Sequence, residues 1–99
     1  MDSSDTSFLA ELENIIDTRL ADRPDGSYTA KLAAAGEKRI AQKVGEEAVE
    51  LILAAAIGER EEQLEEAADL LYHLIVLLRV RDIRLEDVCR LLSRRHAAH

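Results

Sequence analysis

The stretch KVGEEAVELILAAA, residues 43–56, places Glu46, Glu47 and Glu50 within an otherwise almost wholly aliphatic run. Its spacing is helical: Ile40, Val44, Ala48, Leu51, Ile52 and Ala55 fall on one broad face when residues advance by about 100°. The predicted helix runs from Glu37 to Ile57, with Gly58 as its stop. On the same wheel Glu47 and Glu50 stand roughly 60° apart, and Glu46 lies about 40° to the other side of Glu50. The three form one acidic stripe. Val49 and Leu53 flank Glu50 on the side away from the apolar face, the pattern of a helix surrounded by protein.

A second helix, predicted from Glu61 to Val80, carries a matching pair. Glu66 and Asp69 are about 60° apart, and Leu70, His73, Leu77 and Val80 continue along the same side. With Gly58 as the turn of an antiparallel hairpin, Glu50 and Glu66 are each eight residues from it, and Glu47 and Asp69 each eleven. A rise of about 1.5 Å per residue then sets each couple level on neighbouring helices. Carboxylates about 5.5 Å apart repel by roughly 3 kcal/mol per pair at an effective dielectric near 20, so a bound cation is expected. Oxygen ligands without thiolates favour a hard ion, Mg²⁺ or Mn²⁺ over zinc. A solvated helix face is the competing explanation for any single acid pair. The matched spacing about Gly58 and the apolar setting of both stripes favour the site.

Around this hairpin the remaining chain also reads as helix. Phe8, Leu9, Leu12, Ile15, Ile16 and Leu20 predict a first helix over 7–21, with Ser7 or Thr6 as N-cap. DRPDGS, 22–27, is a loop, a short helix begins near Thr29, and Gly36 ends or kinks it. RLEDVCRLLSRR, 84–95, gives a last helix with Leu85, Val88 and Leu92 on one side. The terminal RRHAAH is expected to fray, with no metal role for His96 or His99. Composition agrees: 99 residues, 47% hydrophobic, three aromatics and one proline describe a single all-α domain over 1–99. A core this small is marginal alone, so an antiparallel helical bundle completed by dimerisation is expected.

Net charge of −7 disfavours nucleic acid as a partner. The start MDSSDTSFLAELEN has no signal-peptide pattern and LLYHLIVLL is too short to span a bilayer, so a cytoplasmic location without membrane contact is expected. The lone Cys89 fits a reducing compartment.

GSYTAKL (26–32), KVGEEAVE (43–50) and EEAADLLYHLIVLL (65–78), in this order, resemble the phosphoribosyl-ATP pyrophosphatase family of histidine biosynthesis. The likeness spans nearly the whole chain. The paired acids alone are similar to the wider MazG-like all-α nucleoside triphosphate pyrophosphatases, in which such acids bind Mg²⁺. The resemblance implies Mg²⁺-dependent hydrolysis of phosphoribosyl-ATP to phosphoribosyl-AMP and pyrophosphate, a helical homodimer, and a cytoplasmic enzyme. Some relatives carry a fused cyclohydrolase; this chain has no room for one and lacks its Cys/His zinc motif, so the stand-alone form is expected.

On this basis Glu47, Glu50, Glu66 and Asp69 are the expected metal ligands, direct or through water, with Glu46 and Glu47 as catalytic acids, Glu46 serving as a further ligand or a base. The segment 23–43 is locally basic through Arg23, Lys31, Lys38, Arg39 and Lys43, which suits a triphosphate. Ser27, Thr29, Lys31, Lys38 and Lys43 are the expected substrate contacts, Ser27 to Thr29 standing at a helix entry where free N–H groups can hold an anion. Other roles compete: Ser27 or Tyr28 as cap or packing, and Lys43 as an ion pair to Glu46 or Glu47. His73 reads as a core histidine bonded to a neighbouring helix more readily than as a ligand. Gly45 costs about 1 kcal/mol inside a helix, so a close helix approach is expected there. Two other functions remain open from sequence alone: a house-cleaning enzyme acting on other nucleoside triphosphates, and a helical interaction module without catalysis.

Overall fold

The computed structural model describes residues 4–97, all-helical apart from short links: α1 (Ser4–Asp22), α2 (Tyr28–Ala35), α3 (Glu37–Ile57), α4 (Arg60–Val80) and α5 (Leu85–Ala97). The all-α class is as expected. No helix among the described residues is long and apolar enough to cross a membrane. Residues 1–3, and His99 with residue 98, lie outside the described part.

α3 and α4, of 21 residues each, pack along one another as an antiparallel hairpin whose turn is Gly58 and Glu59. Gly58 has φ −94°, which any residue tolerates; what the position needs is room, because a Cβ there would lie 2.9 Å from the Ala54 carbonyl oxygen. Glu59 and Glu62 cap the start of α4 reciprocally, and the Gln63 side chain donates to the Ala54 and Gly58 carbonyls at 3.2 and 3.3 Å. Upstream, Gly36 separates α2 from α3 at φ +101°, a conformation open to glycine but strained for other residues.

Element ends differ modestly from expectation. α1 starts at Ser4 rather than at 7, so Thr6 and Ser7 lie within the helix and neither is its N-cap. α4 starts at Arg60, one residue before the predicted Glu61, because Glu59 rather than a later residue supplies the cap.

Ile16, Leu32, Ile40, Ile75 and Val76 form the buried core, with Leu9, Leu12, Leu20, Tyr72, Leu77 and Val80 packed around it. α1 and α2 thus cover the base of the hairpin. Charged side chains fix α1 in place: Arg79 reaches Asp17 at 2.7 Å, while the buried Glu13 accepts from Arg84 Nη2 at 3.0 Å and from the Leu85 N–H at 2.6 Å.

The inward face of α3 matches the hydrophobic prediction only in part: Ile40 is buried and Val44, Ala48 and Leu51 are half-buried, but the face extends to Glu47 and leaves out Ile52 and Ala55. Its buried residues are Ile40, Glu47 and Ala54, whereas Ile52 is 64% exposed and Ala55 faces solvent. Relative to the predicted stripe the helix is turned by roughly 60°, which swings Glu47 to the middle of the covered side and leaves Val49, Ile52, Leu53 and Ile57 uncovered. The expected close approach at Gly45 is absent within the chain: nothing stands within 4 Å of where its Cβ would be.

Candidate active site

The hairpin brings the acids together. Glu47 from α3 and Glu66 and Asp69 from α4 each present a carboxylate oxygen, and the three oxygens lie within 4.8 Å of one another. Glu47 and Asp69 are equally far from the turn, Glu66 stands about one helical turn from Asp69 on α4, and the rotation of α3 aims Glu47 at α4. Glu47 is 5% exposed, Glu66 is half-buried and Asp69 lies at the rim.

Glu47 Oε1 and Glu66 Oε1 are both shut off from solvent and have no hydrogen-bond partner. A buried carboxylate oxygen without a partner is costly, and two such oxygens on neighbouring carboxylates are a mutual repulsion awaiting a positive charge. Glu66 shows the strain: desolvation first, then Glu50 beside it, then the charges of Glu47 and Asp69, push its carboxyl up to about 7 from an ordinary 4.5. Glu50 is exposed and outside the tight trio, but it meets Glu66 at the edge of a cavity of about 260 Å³ near the turn, which Leu53, Ala54, Ile57, Gly58 and Glu62 also line.

Cations border the acids on the other side. Lys43 pairs with Glu47 at 3.4 Å and with Glu46 at 3.7 Å, and Arg39 reaches Glu46 at 3.7 Å. Burial opposes the charge on Lys43, but the bond to Glu47 and the nearby Tyr28, Glu47 and Glu46 outweigh it and raise its pKa above the usual lysine value. Glu46 is therefore turned towards Arg39 and Lys43 and does not join Glu47, Glu66 and Asp69.

The expected substrate contacts are spread differently. Lys31 and Lys38 are exposed. Ser27 is the N-cap of α2, its Oγ accepting from the Ala30 N–H at 3.1 Å. Thr29 is fully enclosed and its hydroxyl is hydrogen-bonded to that of Tyr72, so it is a core hydroxyl rather than a surface one. His73 is a buried histidine bonded to a neighbouring helix: one ring nitrogen is 2.8 Å from the Tyr28 hydroxyl and the other 2.8 Å from the Asp69 carbonyl oxygen.

The sequence does not single out Tyr72, and it offers Tyr28 only as a helix-entry hydroxyl or a packing residue. Both stand in the stretches GSYTAKL and LLYHL, and the register that pairs Tyr28 with His73 and Thr29 with Tyr72 is visible only once α2 is laid against α4.

Residues 9–96 match the family model described as phosphoribosyl-ATP pyrophosphohydrolase. The chain is 54% identical over 87 residues to the phosphoribosyl-ATP pyrophosphatase of Agrobacterium fabrum, which covers 88% of this chain and 81% of that protein. It is 51% identical over 89 residues to the protein of the same name from Rhizobium etli, covering 90% and 83% respectively. With the histidine biosynthesis bifunctional protein HisIE of Yersinia pestis it shares 53% identity over 94 residues, 95% of this chain but 46% of that protein. The chain thus spans a little under half the length of such bifunctional relatives.

Proposed function

The chain belongs to the phosphoribosyl-ATP pyrophosphohydrolase family, and from that premise we propose that it hydrolyses phosphoribosyl-ATP to phosphoribosyl-AMP and pyrophosphate, in the histidine pathway and in the cytoplasm. The observation that carries this beyond family membership is the convergence of Glu47, Glu66 and Asp69 with buried, unpartnered oxygens on the first two.

That donor set fits a hard divalent ion. It is all oxygen, densely anionic, and short of positive charge where two oxygens are sealed from water. Glu47, Glu66 and Asp69 would hold Mg²⁺ or Mn²⁺, with Glu50 next to Glu66 as a further ligand. Such an ion, when bound, supplies neutralisation of phosphate charge and acidification of water.

The protein's own residues supply position. Lys43, held by Glu47 beside the trio, orients a phosphate oxygen. Glu46 keeps Arg39 and Lys43 facing the acids rather than binding the ion itself. Lys31 and Lys38 add positive potential, which lets a chain of net charge −7 accept a polyanion. Ser27 contributes by fixing the first turn of α2.

The working unit is proposed to be a homodimer. Val49, Ile52, Leu53 and Ile57 of α3 and Leu64 and Leu71 of α4 are 42–86% exposed, an apolar area on the upper hairpin that α1 and α2 do not reach. Gly45 shares the helical face of Val49 and Ile52 and has open space before it, so its close neighbour would come from a second copy.

Pyrophosphate release from phosphoribosyl-ATP and from deoxynucleoside triphosphates, each with and without Mg²⁺, tests substrate, reaction and metal together. Release from phosphoribosyl-ATP only when Mg²⁺ is present is expected. Preference for the deoxynucleotides would defeat the substrate assignment, and turnover in a chelator would defeat the metal.

A further inference from the structure

Tyr28 is the first residue of α2, 46% exposed, and its hydroxyl oxygen lies 2.8 Å from His73 Nε2. The direction of that hydrogen bond is set one residue further in. His73 Nδ1 stands 2.8 Å from the Asp69 carbonyl oxygen, and a carbonyl only accepts, so Nδ1 carries a hydrogen. In the neutral ring Nε2 is then left with a lone pair, and it accepts the Tyr28 O–H. The one proton of Tyr28 is committed inward. What its oxygen shows to the outside is lone pairs.

That oxygen is also fixed in place. The Tyr28 ring stacks on Tyr72 with centroids 6.0 Å apart and meets His73 edge-on at 5.6 Å. The adjacent Thr29 bonds the Tyr72 hydroxyl, and Ser27 caps the turn. Little ordering remains for a ligand to impose.

Tyr28 is tied to the trio through His73, whose other ring nitrogen bonds the backbone carbonyl of Asp69, while Glu47 holds Lys43 at 3.4 Å. A triphosphate held by the acids and Lys43 therefore brings the group that follows its phosphates to Tyr28. In a nucleotide that group is the ribose, whose hydroxyls are donors. We propose that Tyr28 is a specificity-determining contact that accepts a hydrogen bond from the triphosphate-bearing ribose. The assignment rests on the acids and Lys43 holding the triphosphate, as proposed above. His73 is a positioning residue in this arrangement, since it is buried behind Tyr28 and acts by orienting the Tyr28 hydroxyl.

Binding calorimetry in Mg²⁺ with α,β-methylene-ATP and its 2′,3′-dideoxy form, neither of which is turned over, tests this. The protein is expected to bind the ribose form about tenfold more tightly, the size of one hydrogen bond. Tyr28→Phe keeps the stacked ring and should bind both analogues alike, at the weaker affinity. Thr29→Val loosens the same turn but leaves the Tyr28 oxygen, so it should retain the preference, which a merely structural role for Tyr28 would not allow. Equal binding of both analogues by the unaltered protein, a preference that survives Tyr28→Phe, or no binding of the ribose form at millimolar concentration would each overturn the proposal. A ribose preference in a protein that releases no pyrophosphate from phosphoribosyl-ATP would instead sink the functional assignment and leave Tyr28's role standing.

Discussion

Glu47 and Glu66 face each other across the α3–α4 hairpin, each with an Oε1 that is buried and bonded to nothing. Neutralising one member should therefore have opposite effects on stability and on function. Glu66→Gln removes a charge that its neighbours disfavour and adds an amide donor for Glu50 or Glu47, so the metal-free melting temperature should rise. Mg²⁺ should then no longer raise it, and turnover should fall by at least about a hundredfold. Calorimetric melts with and without Mg²⁺, alongside pyrophosphate release, check both halves. A fall in the metal-free melting temperature would mean that the acids are not in conflict.

The raised carboxyl of Glu66 predicts a pH dependence with a definite sign. Its value of about 7 in the folded protein exceeds the 4.5 expected of an unfolded chain, so the native state binds the proton more tightly. Its stabilising contribution is complete below pH 4.5, shrinks as pH rises, and is gone above about 7. The stability of the metal-free protein relative to Glu66→Gln should accordingly fall across that window. Mg²⁺ binding near pH 6 should release protons, seen as a buffer-dependent heat. A flat difference between the two proteins from pH 4.5 to 7 would show that Glu66 titrates normally.

Glu13 has no place in the chemistry but ties α1 to the start of α5. Replacing it with alanine leaves the Leu85 N–H without its 2.6 Å partner and Arg84 without its 3.0 Å one. A cost of about 2–4 kcal/mol is expected from the lost charge-assisted bonds and the stranded donors. Urea denaturation measures it, and the ratio of kcat to KM at a temperature where the variant stays folded should be nearly unchanged.

Much of the fold was legible because its cues are local. Gly36, Gly58 and the 3.6-residue spacing mark where helices stop and run, and equal counting from Gly58 sets Glu47 level with Asp69 across the hairpin; the same counting sets Glu50 level with Glu66, yet the structure joins Glu47 rather than Glu50 to Glu66 and Asp69. Hydrophobicity alone misplaced one edge of the inward face of α3, since it ranks Ile52 above Glu47. The structure buries Glu47 and exposes Ile52. A helix that serves a charged site on one side and an apolar area on another has two candidate inward faces, and its sequence does not say which is covered within one chain. The bonds from α2 to α4 were hidden for a related reason: Tyr28–His73 and Thr29–Tyr72 join residues more than 40 positions apart through side-chain register alone.

Gly45 and Ile52 together test whether the uncovered face of α3 is closed by a second chain. In a monomer, Ile52→Lys is an ordinary surface change worth less than about 0.5 kcal/mol. In a dimer it should leave a particle of the single-chain mass, 11.0 kDa, by light scattering, and make the remaining stability independent of protein concentration. Gly45→Ala separates the two cases more sharply because its sign changes. Within one chain nothing lies within 4 Å of the new Cβ, so better helix propensity should stabilise the protein by about 1 kcal/mol. If a partner helix packs against the bare backbone there, the added methyl pushes it away, and the variant should lose dimer affinity and melt lower than the parent. A stabilised Gly45→Ala variant, together with a parent protein of the single-chain mass of 11.0 kDa, would leave this apolar face without a second copy to explain it.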